Sequence, residues 1–228
     1  MRILNDIKNI FYPNTCLTCD NVLTVNEKTI CTKCLYDLPL TNYLKNKDKA
    51  IDKIFYGRVK IEQATSLLFY SKKGIVQELI HNLKYRGHQE IGVFLGDWLG
   101  KEIITHNYFN DIDYIIPVPL HKNRLKKRGY NQVTKFGERL SHHLKKPYES
   151  KMLIRKTASA TQTKKSRFDR WTNVKELFYL TDTSIFQNKH ILLIDDIITT
   201  GATLEACANE LLRTENIRIS IAVMAVTE

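Results

Sequence analysis

The stretch ILLIDDIITTGATLEA, residues 191–206, decides how the rest of the chain is read. Four apolar residues run into two adjacent aspartates, Asp195 and Asp196, and then into Ile197, Ile198, Thr199, Thr200, Gly201, Ala202 and Thr203. The apolar run predicts a strand buried on both faces, and the residues after the glycine predict a helix start. In open α/β sheets, ligands collect beyond the carboxyl ends of the strands. Amides at a helix N-terminus, with the helix dipole behind them, favour an anion there. Gly201 lets the backbone come close, and the three threonines add hydroxyl donors. A phosphate suits this loop but not the two carboxylates, which accept hydrogen bonds from hydroxyls instead. A ligand with a phosphate at one end and a vicinal diol a few ångströms away satisfies both halves. A ribose 5-phosphate compound is such a molecule.

Working outward, residues 1–11 place Ile3, Leu4, Ile7, Ile10 and Phe11 on one face of a short helix. The polar stretch 41–53 reads as a connector. Strands are predicted over 64–71, 112–120, 151–155, 176–180, 189–196 and 218–226. Helices are predicted over 74–88, 91–105 (despite its glycines), 129–146 and 202–214. Strands alternating with helices argue for an α/β domain with a mostly parallel sheet flanked by helices. The expected division is 1–40 as a helix and cysteine unit, 41–53 as connector and 54–228 as the α/β domain. No apolar run approaches the about 18 residues of a membrane span. Residues 1–12 lack the features of a secretory leader, so a cytoplasmic location is expected.

Four of the five cysteines form two knuckles, Cys16-x2-Cys19 and Cys31-x2-Cys34. Each spacing turns two sulfurs toward one point, and two knuckles make a tetrahedral thiolate cage that suits structural zinc. Rubredoxin-type iron or an iron–sulfur site uses similar spacing and stays an alternative. A reducing compartment argues against two disulfides. Cys207 reads as a small buried hydrophobe.

The formal charge of +11 is unevenly spread. Residues 121–170 hold 16 Lys or Arg against Glu138, Glu149 and Asp169, so that segment is +13 and the remainder is −2. A field concentrated in this way favours a phosphorylated or polyanionic partner. Lys126, Lys127, Arg128, Lys164, Lys165 and Arg167 are candidate contacts to single-stranded DNA, with Tyr130, Phe136, Phe168 and Trp171 as candidate stacking partners.

The apolar strand, Asp-Asp, two apolar residues and Thr-Thr-Gly-Ala-Thr together resemble the signature by which type I phosphoribosyltransferases bind phosphoribosyl pyrophosphate (PRPP). That resemblance implies that Asp195 and Asp196 meet the ribose hydroxyls and that Thr199, Thr200, Gly201, Ala202 and Thr203 cradle the 5′-phosphate. It implies Mg2+ bridging the diol and the pyrophosphate. Pro119, Leu120 and His121, with Arg124 nearby, stand where the family's pyrophosphate loop belongs, and residues 155–173 stand where its hood loop belongs. Adding the four-cysteine unit, LIHNLKYRGH, PVPLHKNRLKKRGYNQ and the spacing Arg155, Gln162, Arg167, Asn173, nearly the whole chain resembles the ComF family of bacterial competence proteins. Tyr130 stands where many members carry Phe. Membership implies a type I phosphoribosyltransferase-like fold, with a zinc unit, acting in natural transformation. It also implies handling of incoming single-stranded DNA in the cytoplasm, with a helicase-like partner.

Two classes of function follow. In one, the chain is a PRPP-binding and DNA-binding module. In the other, it is an enzyme moving a phosphoribosyl group from PRPP to an unidentified nucleophile with release of pyrophosphate, and Asp195 and Asp196 are its catalytic-site residues. An intact loop favours ligand binding under both. The residues name neither an acceptor nor a general base, and they leave open whether the zinc unit touches DNA or protein.

Overall fold

A computed structural model describes residues 13–155 and 178–227. Strands β1 (Ala64–Tyr70), β6 (Arg218–Thr227), β5 (His190–Ile198) and β2 (Tyr114–Pro117) form one sheet in that spatial order, and every pairing is parallel. Parallel strands must be covered on both faces, and the middle stretches of β5 and β6 are apolar for that reason. Ile191–Ile194 and Ile221–Val226 are all buried.

On one face lie α4 (Ile75–Tyr85), α5 (Glu90–Thr105) and α7 (Thr134–Leu144), which pack Leu79, Leu83, Leu95, Leu99, Phe136 and Leu140 over Leu192 and Ile194. On the other lie α8 (Ala202–Leu211) and the short α3 (Asp52–Phe55), which cover Leu193, Ile221 and Val223 with Leu204, Leu211 and Phe55. The glycines of α5 are a packing device. A Cβ on Gly96 would stand 2.8 Å from the Phe136 carbonyl oxygen, and one on Gly100 would stand 2.6 Å from the His143 ring. Glycines there let α5 and α7 approach closely, and Asp97 closes the contact with Arg139 at 2.5 Å and His143 at 2.9 Å.

Three predictions need adjusting. The helix expected over 129–146 is confined to α7, and a separate helix, α6 (Lys122–Arg128), precedes it; Gly129, at φ 82°, ends α6 in the left-handed conformation that favours glycine. The stretch 41–53 contains α2 (Tyr43–Asn46) and the start of α3, and it buries Thr41, Leu44, Ile51 and Asp52. Asp52 accepts from the Ala64 amide at 2.8 Å, which fastens α3 to the start of β1. Finally, the cysteine unit, which carries the short helix α1 (Thr32–Tyr36), shares the core of the main sheet: Cys16, Ile30, Cys34 and Leu38 belong to the same buried cluster as Leu68 and Leu83. An antiparallel pair of β3 (Leu153–Arg155) and β4 (Phe178–Leu180) stands apart from the sheet. The helix expected over 1–11 and most of the hood segment lie outside the described residues.

Candidate functional site

β5 carries Asp195 and Asp196 in its last turn of pleat, and α8 begins four residues after Ile198. The intervening loop is shaped by Gly201, whose φ is 74°. This left-handed conformation costs little only for glycine. Gly201 is the N-cap of α8 and offers no side chain of its own; among the first-turn amides, that of Ala202 donates to Thr200 Oγ1 at 3.4 Å. Thr199, Thr200 and Thr203 are exposed around them. Asp195, Ile197–Ile198 and Thr199–Leu204 line one cleft. The residues read from sequence as a phosphate loop therefore share a cleft with one of the two aspartates.

The aspartates part company because neighbouring strand residues face opposite sides of a sheet. Asp195 lies on the α8 side, its Oδ1 accepting the Asp196 amide at 2.8 Å. Burial first, and the neighbouring carboxylate second, push its pKa well up, while Lys84 and Arg155 pull it down. Asp196 lies toward α4, where Lys84 Nζ stands 2.8 Å from Oδ1. Its other oxygen, Oδ2, is buried and has no hydrogen-bond partner among the described residues.

Two arginines stand beside this site: Arg58, to which sequence reasoning gave no role, and Arg155, which it counted in the hood segment. Arg58 donates to the Thr200 carbonyl at 2.7 Å and to the Ile54 carbonyl at 3.1 Å, and its Nε reaches Glu205 of α8 at 3.0 Å. It ties the loop and the helix behind it to α3. Arg155, at the end of β3, has its guanidinium 5.4 Å from the Phe178 ring centre and its Nε buried without a partner among the described residues. Burial and the charge of Arg124 lower its pKa, against the pull of Cys207 and Asp195.

The second loop follows β2. Because Pro117 pairs with Ile194, the chain leaving β2 emerges beside the end of β5, and the Val118 amide donates to the Ile194 carbonyl at 2.9 Å. Pro119, Leu120 and His121 are half-buried there, and His121 Nδ1 caps α6 by accepting the Asn123 amide at 3.2 Å. Arg124, Lys126 and Lys127 project from the exposed face of α6. Arg128 instead folds back over Tyr85, 5.4 Å from its ring centre, and donates to Gln132. Among the aromatics suggested for stacking, Phe136 is fully buried in the core and unavailable to a base. Tyr130 is half-buried and donates its hydroxyl to the Leu83 carbonyl. Lys164, Lys165, Arg167, Phe168 and Trp171 lie outside the described residues.

The four sulfurs of Cys16, Cys19, Cys31 and Cys34 lie within 4.8 Å of one another, so four ligand atoms of one soft type converge and could hold a metal ion. The Thr18 hydroxyl lies 3.0 Å from Cys16 Sγ, and the Cys31 amide donates to it at 3.2 Å. Although burial acts the other way, hydrogen bonds of this kind bring the Cys16 thiol down to about 6. Glu27 clamps the second knuckle, accepting the Thr24 amide at 2.8 Å and the Thr32 amide at 2.5 Å. Asn82 of α4 donates to the Leu17 carbonyl at 2.8 Å, joining the first knuckle to the main domain.

This sheet, with its acidic strand end and glycine-capped helix start, defines a phosphoribosyltransferase-type domain. Residues 113–227 match the phosphoribosyl transferase domain family. The DNA utilization protein YhgH of Shigella flexneri is 30% identical over 201 residues, which cover 87% of this chain and 84% of that relative. The competence protein ComFC of Bacillus subtilis is 32% identical over 147 residues, 63% of this chain and 56% of its own length. The chain belongs to the ComF family of phosphoribosyltransferase-like proteins. Matches to the YhgH proteins of Salmonella typhi and Salmonella typhimurium span 60% of their length. A solved purine phosphoribosyltransferase from Pyrococcus horikoshii is 19% identical with a TM-score of 0.39, covering 60% of this chain and 73% of that one.

Proposed function

We propose that this chain binds a phosphoribosyl compound, PRPP or ribose 5-phosphate, in the cleft after β5, and that it serves natural transformation by handling incoming single-stranded DNA in the cytoplasm. The observation that carries the ligand reading is the common cleft of Asp195 and Thr199–Leu204 at the glycine-led start of α8. The loop amides and threonine hydroxyls take the 5′-phosphate, and the carboxylates of Asp195 and Asp196 accept from the ribose diol. Pro119, Leu120, His121 and Arg124, beside the same strand end, meet the pyrophosphate.

The carboxylate pair is compatible with a magnesium-bound ligand, because Asp196 keeps one buried oxygen without a partner among the described residues. Mg2+ prefers few carboxylates and several waters, so it would be held by the ligand's own diol and pyrophosphate oxygens and would neutralise the pyrophosphate charge. The cysteine cage holds a structural Zn2+, whose four thiolates leave no open position.

The DNA reading is supported by the +13 segment and by the exposed lysines and arginine of α6. Lys126 and Lys127 contact the phosphodiester backbone, and Arg128 lies at the edge of that face. Lys164, Lys165 and Arg167 extend the contact. Relatives that bear the names competence protein and DNA utilization protein support the same reading. A helicase-like competence protein is the proposed protein partner.

The test is calorimetric titration with PRPP and Mg2+ beside an assay for released pyrophosphate. Saturable binding that is lost when Asp195→Asn and Asp196→Asn are combined upholds the ligand site; unchanged affinity in the double variant removes it. Pyrophosphate release above the uncatalysed rate, lost in the same variant, would make the chain a transferase.

A further inference from the structure

Lys84 is the single lysine of α4, one residue from its end, and its setting is unusual for a surface cation. The helix turn that bears it is pinned on three sides. Asn82 donates to the Leu17 carbonyl of the cysteine unit, Tyr130 donates to the Leu83 carbonyl, and Arg128 covers the Tyr85 ring. The side chain is thereby delivered, with only 21% of it exposed, to the far side of the β5 end. Its Nζ meets Asp196 Oδ1 at 2.8 Å, and that carboxylate is 7% exposed.

Two adjacent buried carboxylates repel each other and are costly to ionise. A fixed cation on one of them lowers that cost and sets the orientation of the group. With Oδ1 held by Lys84, Oδ2 is the acceptor left over, buried and without a partner among the described residues.

We propose that Lys84 is a positioning residue of the phosphoribosyl site: its ammonium is a resident partner of Asp196 Oδ1 that holds the carboxylate turned so that Oδ2 accepts from the ribose diol. This rests on the ligand reading above. A tethered charge of this kind shares the neutralising duty that a divalent ion would otherwise carry alone, so the protein should hold ribose 5-phosphate, which has no pyrophosphate, in the absence of magnesium. The pair also joins residues 112 positions apart in sequence, so it closes α4 onto the sheet.

The experiment is calorimetry on the full metal-loaded chain with ribose 5-phosphate and with PRPP, each with Mg2+ and with EDTA. The variants are Lys84→Met, Lys84→Arg and Asp196→Asn, and thermal melts are run in parallel. Lys84→Met should weaken both ligands alike, by about tenfold or more in EDTA and by less with Mg2+. Lys84→Arg, which keeps the charge, should recover most of the affinity. If Lys84→Met does not fold, Lys84→Gln, which keeps a donor and removes the charge, answers the same question. Wild-type affinity in a variant that only melts lower would make the pair purely structural and overturn the proposal. A loss confined to PRPP would put Lys84 on the pyrophosphate and overturn it equally. If Asp196→Asn weakens binding and the lysine variants do not, the ligand reading stands and the role of Lys84 fails. If the wild-type chain binds neither ligand, the ligand reading fails first and takes this one with it.

Discussion

Replacing Gly201 with alanine tests whether the phosphate loop is held by its backbone conformation. The residue sits at φ 74°, and a Cβ there would stand 3.1 Å from Ile54 Cγ2 and 3.1 Å from Phe55 Cε1. An L-residue in the left-handed region costs about 1–2 kcal/mol. Phe55 has no exposed surface and cannot step aside, so the crowding adds about 1 kcal/mol. Together, about 2–3 kcal/mol corresponds to a fall in Tm of roughly 5–10 °C for a chain of this size. The loop can escape part of that cost only by moving away from α3, which carries the first-turn amides of α8 away from the phosphate position. Ribose 5-phosphate affinity should then drop by about tenfold. Differential scanning calorimetry and calorimetric titration read the two effects. A melt within about 1 °C of wild type together with unchanged affinity would refute the reasoning, because it would mean that neither the left-handed backbone nor the α3 contact constrains the loop.

Cys31→Ser removes one of four converging thiols and should release the metal measured by elemental analysis, with a loss of several kcal/mol in stability; a metal-free wild-type protein, or an unaltered melt, would contradict the cage. Reversing Lys126 and Lys127 to glutamate should weaken single-stranded DNA more at low salt than at high salt, lowering the slope of log affinity against log salt by about 1.4 or more. No change at either salt would move the DNA surface off α6. Burial and the Asp196 charge raise Asp195 to about 8, so the native state retains a proton that the unfolded chain releases. Its contribution to stability is therefore full at low pH and lost as pH rises toward about 8, while the ionised acceptor is gained over the same climb. Ribose 5-phosphate affinity should accordingly rise with pH and level off above about 8, and a flat titration series from about pH 6 to 9 would refute this. Asp195→Asn, which resembles the protonated carboxyl, should melt no lower than wild type at the upper end of that range.

The fold was legible wherever local pattern and tertiary fate coincide. The run 191–194 can only be a strand covered on both sides, and β5 bears that out. α5 was legible too, although its glycines weaken a helix on propensity alone; the close approach of α7 explains why they are there. α6 was hidden because LKKR follows two prolines and carries no apolar stripe. None of its residues is buried, so no hydrophobic period announces it. The stretch 41–53 looked like a connector because its few apolar side chains are scattered; Leu44 and Ile51 are buried by neighbours far away in sequence.

The candidate site divides in the same way. Its contiguous part, 195–203, is legible because strand end, turn and helix start follow one another along the chain. The residues that brace it are not, because they arrive from elsewhere. Arg58 reaches Glu205 across 147 positions, and Lys84 reaches Asp196 across 112. One arginine or lysine in a chain with 35 of them carries no local mark of such a task. What selects these two is the sheet order. With β5 flanked by β6 and β2, the end of β5 faces α4 on one side and α3 on the other. A carboxylate projecting to each side needs a cation from each neighbouring layer or must give up its charge. Asp196 finds Lys84, and the nearest charges that favour ionised Asp195 are Lys84 and Arg155. Of the two adjacent aspartates at the end of this buried strand, Asp196 is therefore met by a cation from the α4 layer, while Asp195 keeps its proton up to about pH 8 against the pull of Lys84 and Arg155. Their positions follow from which elements the topology sets against that strand, and no spacing rule in the sequence supplies them.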